Sequence, residues 1–468
     1  MGVAIIGGGI SGLAAAYELT TRGIPFVLFE RAATCGGVIV TERIDGYTID
    51  AGPDALLTQK PAAVALCREV GLERRLQPQR ARATFLVRGG ELVSLPESSV
   101  FGIPTRWMPF VTTRAFSWRG KLRMAAEALL PSRTAGEDES IASFIGRRFG
   151  AEAVDYLAEP FLAGIHGGDP TQLSMRAAFP RLLELEAKHG GIIRGFRTTR
   201  PGGGKGGSSP FVALADGMGE LTGAMMKALA PGSIRAGVGI RNVVNTAGEW
   251  TLTTDRGECV AADSVILATP PPATSRLLAS FDGPASSLAA QISMTSAVTI
   301  AFGYSRSHVD HPLDGTGFVV PRREGLSIRA ASWVSSKWSR RAPADRVLLR
   351  AYVGGASDPG AIDRSDEALA NHAQRDLSKL LRIVGDPELV RVYRWRNATP
   401  QMTVGHLERM AEIDRRMALH PGLAVTASGF RGTGIADCVA DARRVAGEVA
   451  QDFLRASAMS SRTLSAAG

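Results

Sequence analysis

Cysteine is scarce: only Cys35, Cys67, Cys259 and Cys438 occur in 468 residues, too far apart to show the paired spacing of a zinc site or a disulfide scaffold. That scarcity fits a reducing compartment. Also absent is any uncharged apolar run of the roughly 18 residues that a spanning helix needs. The N-terminus enters "VAIIGGG" directly, without the basic and then apolar leader of a secreted protein. The expectation is therefore a cytoplasmic chain, either soluble or peripheral on the inner face of the cell membrane. No repeat of fixed period is present. The charge balance, 54 Lys plus Arg against 45 Asp plus Glu, leaves a diffuse excess of +9. Such an excess selects neither nucleic acid, nor an anionic membrane, nor an acidic small molecule, and no nucleic-acid partner is expected.

What is present begins at residue 3. "VAIIGG" reads as a buried parallel-type strand, "SGLAAAYELTTRG" as a helix with apolar residues at helical spacing and a closing Gly23, and "PFVLFE" as a second apolar strand ending in Glu30. Strand, glycine turn, helix and strand make a βαβ unit. Gly7, Gly9 and Gly12 give G-x-G-x-x-G between the first strand and its helix, and Glu30 follows eighteen residues after Gly12. In that setting each glycine has a physical task. The first allows a tight turn, the second lets backbone approach a pyrophosphate, and the third lets helix and strand pack closely. The helix N-terminus then faces phosphate charge, and the Glu30 carboxylate is placed to accept from a ribose hydroxyl. A dinucleotide is expected.

Further along, "PGGGKGGSS" (201–209) has no side chains with which to build a core and reads as a connector. Residues 115–189 read as mostly helical, and 248–271 as a hairpin feeding a buried strand. More strands are expected at 297–305, 317–322 and 346–355, and a helix around 363–384. The tail from 455 onward is small and polar and is expected to lack structure. A glycine-punctuated stretch, "ASGFRGTGIADC" (427–438), runs into a helix near the C-terminus and superficially repeats the first loop.

After Glu30, "RAATCGGVIVTERIDGYTIDAGP" (31–53) adds a glycine pair and then Gly52-Pro53. This resembles the second signature of flavin-containing amine and porphyrinogen oxidases, and "DSVILATPP" (263–271) and 427–438 resemble later segments of that superfamily. Longer stretches are similar to the oxygen-dependent protoporphyrinogen oxidases and the bacterial coproporphyrinogen III oxidases: "GPDALLTQKP" (52–61), "VFGIPTRWMPFVTTRAFSWRGKLRM" (100–124), "EPFLAGIHGGDPTQLSMRAAFPRL" (159–182), "SSKWSRRAP" (335–343), "YRWRNATPQM" (393–402) and "FRGTGIADC" (430–438). They run in order along nearly the whole chain. Trp395 could belong to the aromatic pair of an amine oxidase, but Met402 stands where such families often place the second ring. A carotenoid desaturase would lack "EPFLAGIHGGD".

The resemblance implies an α/β fold: a discontinuous Rossmann-like FAD-binding domain (1–82, 205–280 and 400–455), a helical insertion at a membrane or the substrate channel (83–204) and a sheet-based substrate domain (281–399). It implies FAD held by Gly7, Gly8, Gly9, Ile10, Ser11 and Gly12 at the pyrophosphate and by Glu30 and Arg31 at the ribose. Gly36, Gly37, Val38, Gly52, Pro53, Asp54, Ala55 and Ile240 would lie along it, with Ser428, Thr433, Gly434 and Ile435 at the flavin end. It implies six-electron oxidation of protoporphyrinogen IX, or alternatively coproporphyrinogen III, by molecular oxygen with release of hydrogen peroxide. No catalytic triad is expected, because hydride leaves a methylene bridge for the flavin. Gly167 and Gly168 would present a carbonyl to the macrocycle, with Ile165 and His166 lining the slot and His166 not acting as a base. The family's propionate-binding arginine falls on Thr84, leaving Arg82 and Arg88 as candidates. The aromatic and basic run 103–124 suits either a membrane interface or core packing with a solvated edge. A homodimer and hand-over of product to a ferrochelatase stay open.

Overall fold

The computed structural model describes residues 2–95, 99–100, 103–104, 107–133, 136–163, 167–198, 209–246 and 248–466. Of the glycine-rich connector only Ser209 is among them.

Val3–Ile6 is buried at every position and lies at the centre of a five-stranded parallel sheet. Its neighbours come from distant parts of the chain: Ile234–Ala236 and Phe26–Glu30 on one side, Ser264–Leu267 and Leu423–Val425 on the other. Continuous apolar tetrads such as "VAII" and "SVIL" suit strands covered on both faces. The helix Ile10–Thr21 covers one face with Leu13, Ala14, Ala15, Ala16 and Leu19. Its alanines leave room for a second helix, Ile435–Ala466, whose Val439, Ala442 and Val445 enter the same core. Arg443 Nε joins Glu18 Oε2 at 2.8 Å across that contact. The first and last helices therefore form one layer. The last helix also runs on to Ala466, through the tail for which the sequence led us to expect no structure.

A seven-stranded sheet forms the second layer, in the order Leu389–Pro400, Met294–Ser305, Arg346–Gly354, Ala330–Trp333, Gly315–Val319, Ala83–Arg88 and Glu91–Ser94. The helix Asp366–Leu381 seals one face, capped at its start by the Ser365 hydroxyl and burying Leu369 and Leu377 against Val298, Ile300 and Leu349. The last two strands of the sheet were expected to open the helical insertion. They belong instead to the sheet, because Gly89 and Gly90, both with positive φ, supply the two-residue turn of a hairpin that pairs with Gly315–Val319.

Between 107 and 198 the described chain is mainly helical, around a core of Phe116, Met124, Phe144, Phe149 and Leu185. Beside that core Arg148 is buried in an ion pair with Glu127, whose carboxylate also accepts from Ile192 N at 2.8 Å and Ile193 N at 3.2 Å. Val154–Ala163 has the wider π-type winding and holds Pro160, which cannot donate to a helical ladder. It leads directly towards Gly167 and Gly168. No described helix is long and apolar enough to cross a membrane.

Candidate functional site

The first glycine loop closes over the C-terminal edge of the five-stranded sheet. Gly7 has φ +107, donates to Phe29 O at 2.8 Å, and has no room for a Cβ against Ala268 O. A Cβ on Gly12 would overlap the carbonyl oxygen of Gly7, so helix and strand touch through a glycine there. Gly9 differs: a Cβ on it would meet nothing within 4 Å. It faces open space at the start of Ile10–Thr21, a helix with no side-chain cap and no acidic residue in its first turn. The N–H groups of Ile10, Ser11 and Gly12 therefore have no carbonyl of their own helix to bond. Bare donors beside open space at a helix N-terminus are what a diphosphate requires.

Glu30 stands at the end of its strand with both carboxylate oxygens accepting, Oε2 from Gly8 N at 2.6 Å and Oε1 from Ala32 N at 2.7 Å. Gly36 and Gly37 lie over this loop. Gly36 N donates to Gly8 O at 2.8 Å, and a Cβ on Gly37 would come within 3.3 Å of Gly9 Cα. Arg31 is exposed beside Gly239. On the far side the chain in register with Glu30 is 237–238, since Val238 N donates to Glu30 O at 2.9 Å and Gly237 N to Ala32 O at 2.8 Å. Ile240 starts the next strand and pairs with Thr254. Val238 went unnoticed in the sequence because only its register beside Glu30 distinguishes it from other valines.

The second loop reaches the same cleft. Gly429 N donates to Gly432 O at 2.8 Å, Ser428 Oγ to Thr433 O at 3.4 Å, and Gly434 is exposed at the mouth of the helix that Ile435 begins. Between the loops lies Cys438, a buried thiol with the Ser11 and Ser428 side chains beside it. Burial pushes that thiol up to about 11, so it stays protonated. His406 holds the loop from below. It is buried, and its Nε2–H donates to Phe430 O at 2.8 Å.

Gly52 completes the cleft wall, with no room for a Cβ against Val38 O; Val38 itself is exposed. Pro53 and Ala55 flank Asp54, whose carboxylate turns inward to Lys337 Nζ at 2.8 Å, Trp338 Nε1 at 3.3 Å and Arg350 at 3.4 Å. Burial would raise the Asp54 pKa, but Lys337 and Arg350 outweigh it and hold the carboxyl well below the usual range. Arg350 also donates to Asp50 O and, at 2.8 Å, to Gly52 O. Trp395 Nε1 donates to Ala51 O at 3.2 Å. The cleft wall is thus held by Arg350 and Trp395 of the seven-stranded sheet and by Lys337 of the short helix Val334–Lys337 that follows one of its strands.

Gly167 and Gly168 come to the junction of the two layers and the helices. Gly167 O accepts from Ala356 N at 2.8 Å, and a Cβ there would stand 3.6 Å from Thr295 Oγ1. Gly168 has no room for a Cβ against Gln401, whose Nε2 donates to Thr295 Oγ1 at 3.1 Å. Ile165 and His166 lie outside the described residues. Arg88 is engaged away from the slot, donating to Ala115 O and pairing with Glu152 at 2.9 Å. Thr84 Oγ1 lies 3.0 Å from Thr316 Oγ1.

The open space at Gly9, the bare helix start and the second helix N-terminus across the cleft fit the extended FAD that the resemblance implies. Among the described residues no group of three or more His, Cys, Asp or Glu side chains could hold a metal.

Comparison with known proteins shows the family and the fold. A family model described as flavin containing amine oxidoreductase matches residues 10–450. A coproporphyrinogen III oxidase of Bacillus subtilis is 36% identical over 451 residues, covering 93% of this chain and 95% of its own. The chloroplastic protoporphyrinogen oxidase 1 of Spinacia oleracea is 29% identical, covering 96% of this chain and 84% of its own. A crystal structure from Exiguobacterium sp. 255-15, carrying a provisional protoporphyrinogen oxidase name, superposes with a TM-score of 0.86 at 31% identity, covering 96% of this chain and 98% of that one.

Proposed function

The chain belongs to the flavin-containing amine oxidoreductase family, and on that premise we propose that it is a FAD-dependent oxidase converting a porphyrinogen to the porphyrin in haem biosynthesis, with coproporphyrinogen III preferred over protoporphyrinogen IX. The observation that carries this reading is the convergence of two glycine loops, which meet around the buried Cys438, beside a glycine-lined junction at Gly167 and Gly168. The 36% identity with the Bacillus subtilis coproporphyrinogen III oxidase favours the four-propionate substrate.

FAD supplies the two-electron acceptor and molecular oxygen its reoxidant, three times per macrocycle. The chain supplies position. Gly167 and Gly168 pack closely against Thr295 and Gln401 and fix the backbone at that junction, and the Asp54–Lys337–Arg350 cluster fixes the Gly52 wall. No side chain is required to move a proton in the slot, so orientation carries the rate.

We assign FAD binding to 1–82, 205–280 and 400–455, with the substrate sheet of 281–399 extended by the hairpin at 83–94. The helices beyond that hairpin form the third part. On their surface Met108, Trp118, Leu122 and Leu129 are each at least 67% exposed, next to the exposed Arg114 and Arg119, whereas Phe110 and Phe116 are buried. An outward apolar set beside cations supports peripheral contact with an anionic membrane.

Purified protein should be yellow, and its flavin should bleach anaerobically on addition of coproporphyrinogen III. Porphyrin fluorescence should give a kcat/KM at least tenfold above that for protoporphyrinogen IX. If neither porphyrinogen reduces the flavin, the proposal fails; a ratio below one reverses the preference only.

A further inference from the structure

The cation that meets the substrate carboxylates is the part of the slot left unassigned, and we infer that it is Arg329, an inference that rests on the porphyrinogen reading above. The backbone of Arg329 is fixed on both sides, its N donating to Tyr352 O at 2.8 Å and its O accepting from Val320 N at 2.8 Å. Two residues beyond Tyr352 the chain reaches Gly354 and Gly355, and a Cβ on Gly355 would come within 2.9 Å of Gly167 O. Beside Arg329, the turn at Arg322 docks on the helix that leads to Gly167, with Arg322 N donating to Glu159 Oε2 at 2.7 Å. Arg329 therefore sits between the two elements that frame the glycine pair.

Its side chain is left half used. Nη2 donates to Leu326 O at 3.0 Å, but Nε and Nη1 are buried without a hydrogen-bond partner among the described residues. The neighbouring carboxylates are engaged elsewhere: Glu159 with Arg322 N, Asp376 with Ser327 N at 2.7 Å, and Asp358 with Arg364 at 2.9 Å. Of the other arginines with a buried unpartnered nitrogen, Arg341, Arg350 and Arg176 are ion-paired with Asp50, Asp54 and Glu408, and Arg409 donates to Gln291 Oε1 at 3.4 Å. Arg329 has no ion pair among the described residues. A guanidinium keeps its charge when buried, and leaving its donors unmatched is costly until an anion arrives. The ligand that fits is a carboxylate, because planar charge-assisted pairing is what a guanidinium does best. In a porphyrinogen slot that carboxylate is a propionate. Arg329 takes the task that Thr84 and Arg88 do not perform.

The test uses the FAD-loaded enzyme and two variants, Arg329→Met and Arg329→Lys, with coproporphyrinogen III and its tetramethyl ester as substrates. In parallel, binding of coproporphyrin III and its ester is followed by porphyrin fluorescence. Arg329→Met should raise KM for the acid, and Kd for the product acid, by about tenfold to a hundredfold, the range of a charged hydrogen bond, with kcat within about twofold. The ester constants should not move, and Arg329→Lys should recover part of the acid affinity. An acid KM within threefold of wild type, or an equal rise for acid and ester, overturns the assignment. If Arg329→Met loses FAD or melts early, the Lys variant and an Arg329→Gln variant decide by the same acid-to-ester ratio. Wild type that oxidises no porphyrinogen sinks the functional proposal itself, whereas normal wild-type turnover with an unmoved ratio sinks Arg329 alone.

Discussion

Gly9→Asp should abolish FAD binding without weakening the fold. Gly9 has φ −71 and ψ −175, an extended conformation open to any residue, and a Cβ on it meets nothing within 4 Å. It is also the N-cap of Ile10–Thr21, and that cap makes no side-chain hydrogen bond. Aspartate is a better cap than glycine by a few tenths of a kcal/mol, and a carboxylate at a helix N-terminus gains about 0.3–1 kcal/mol more. The melting temperature without added FAD should therefore hold or rise by about a degree or two. The cofactor meets the opposite sign. Two like charges within about 5 Å repel by about 3 kcal/mol at an effective dielectric of about 20, and a diphosphate carries two, so affinity should fall by more than about a thousandfold. Gly9→Ala adds bulk without charge and should fall between. Gly12→Ala is the contrast: its Cβ overlaps Gly7 O, so the cost of about 1–3 kcal/mol falls on the fold itself. Flavin absorbance of the purified proteins and melting curves with and without added FAD separate these cases. A Gly9→Asp protein with wild-type flavin content, or one that melts as early as Gly12→Ala, would refute the placement of the diphosphate.

Glu127→Gln should lower stability in urea by up to about 3–5 kcal/mol, because it leaves Arg148, a buried cation 1% exposed, with only its longer pair to Glu186 at 3.4 Å. Asp54 has a depressed pKa, so its contribution is present above an unfolded value of about 4 and lost as pH falls towards the lower folded value. Lys337→Met removes the larger of the two charges that hold Asp54 down, and acid unfolding should begin at higher pH, measured by intrinsic fluorescence. His406 also has a depressed pKa, caused by burial. Its contribution is complete above about pH 6.5 and fades below; between pH 7.5 and 5.5, roughly, wild type should lose more stability than His406→Gln, and equal losses would count against the Phe430 contact. Trp118→Glu with Leu122→Glu should reduce co-sedimentation with anionic vesicles while leaving flavin content unchanged.

The βαβ unit at residues 3–30 was legible because its apolar tetrads, glycine spacing and terminal Glu30 are all local. So were the strands at 294–305 and 346–354 and the helix 366–381, each with its own periodicity. The hairpin 83–94 showed its strand pattern in sequence but not its partner, because pairing with Gly315–Val319 is a contact across more than two hundred residues. Val238 and His406 were invisible for the same reason: each acts through a backbone atom, of Glu30 or Phe430, that no motif records. The last helix misled in the other direction. Small polar residues after 455 gave no apolar stripe, yet they continue a helix already nucleated and packed upstream.

The arginine excess, which read as diffuse surface charge, has an internal use. Arg350 donates to the carbonyls of Asp50 and Gly52, Arg341 to Leu214 O at 3.0 Å, Arg148 to Pro131 O at 3.0 Å and Arg123 to Arg148 O at 2.9 Å. Each of these carbonyls belongs to a turn, a strand end or a helix end, where the regular ladder leaves acceptors open. A guanidinium has five donors in a rigid fork and keeps its charge when buried, so one side chain can close several such acceptors and an acidic partner together. Lysine could not replace it at Arg350, which reaches two carbonyls, Asp54 and Tyr352 at once. A chain that packs its first and last helices together and pairs Ala83–Arg88 with Gly315–Val319 must cross itself repeatedly in irregular backbone. Net charge therefore reflects, in part, the number of crossings to be pinned, and an arginine with buried donors left unmatched, such as Arg329, is one to examine for a ligand.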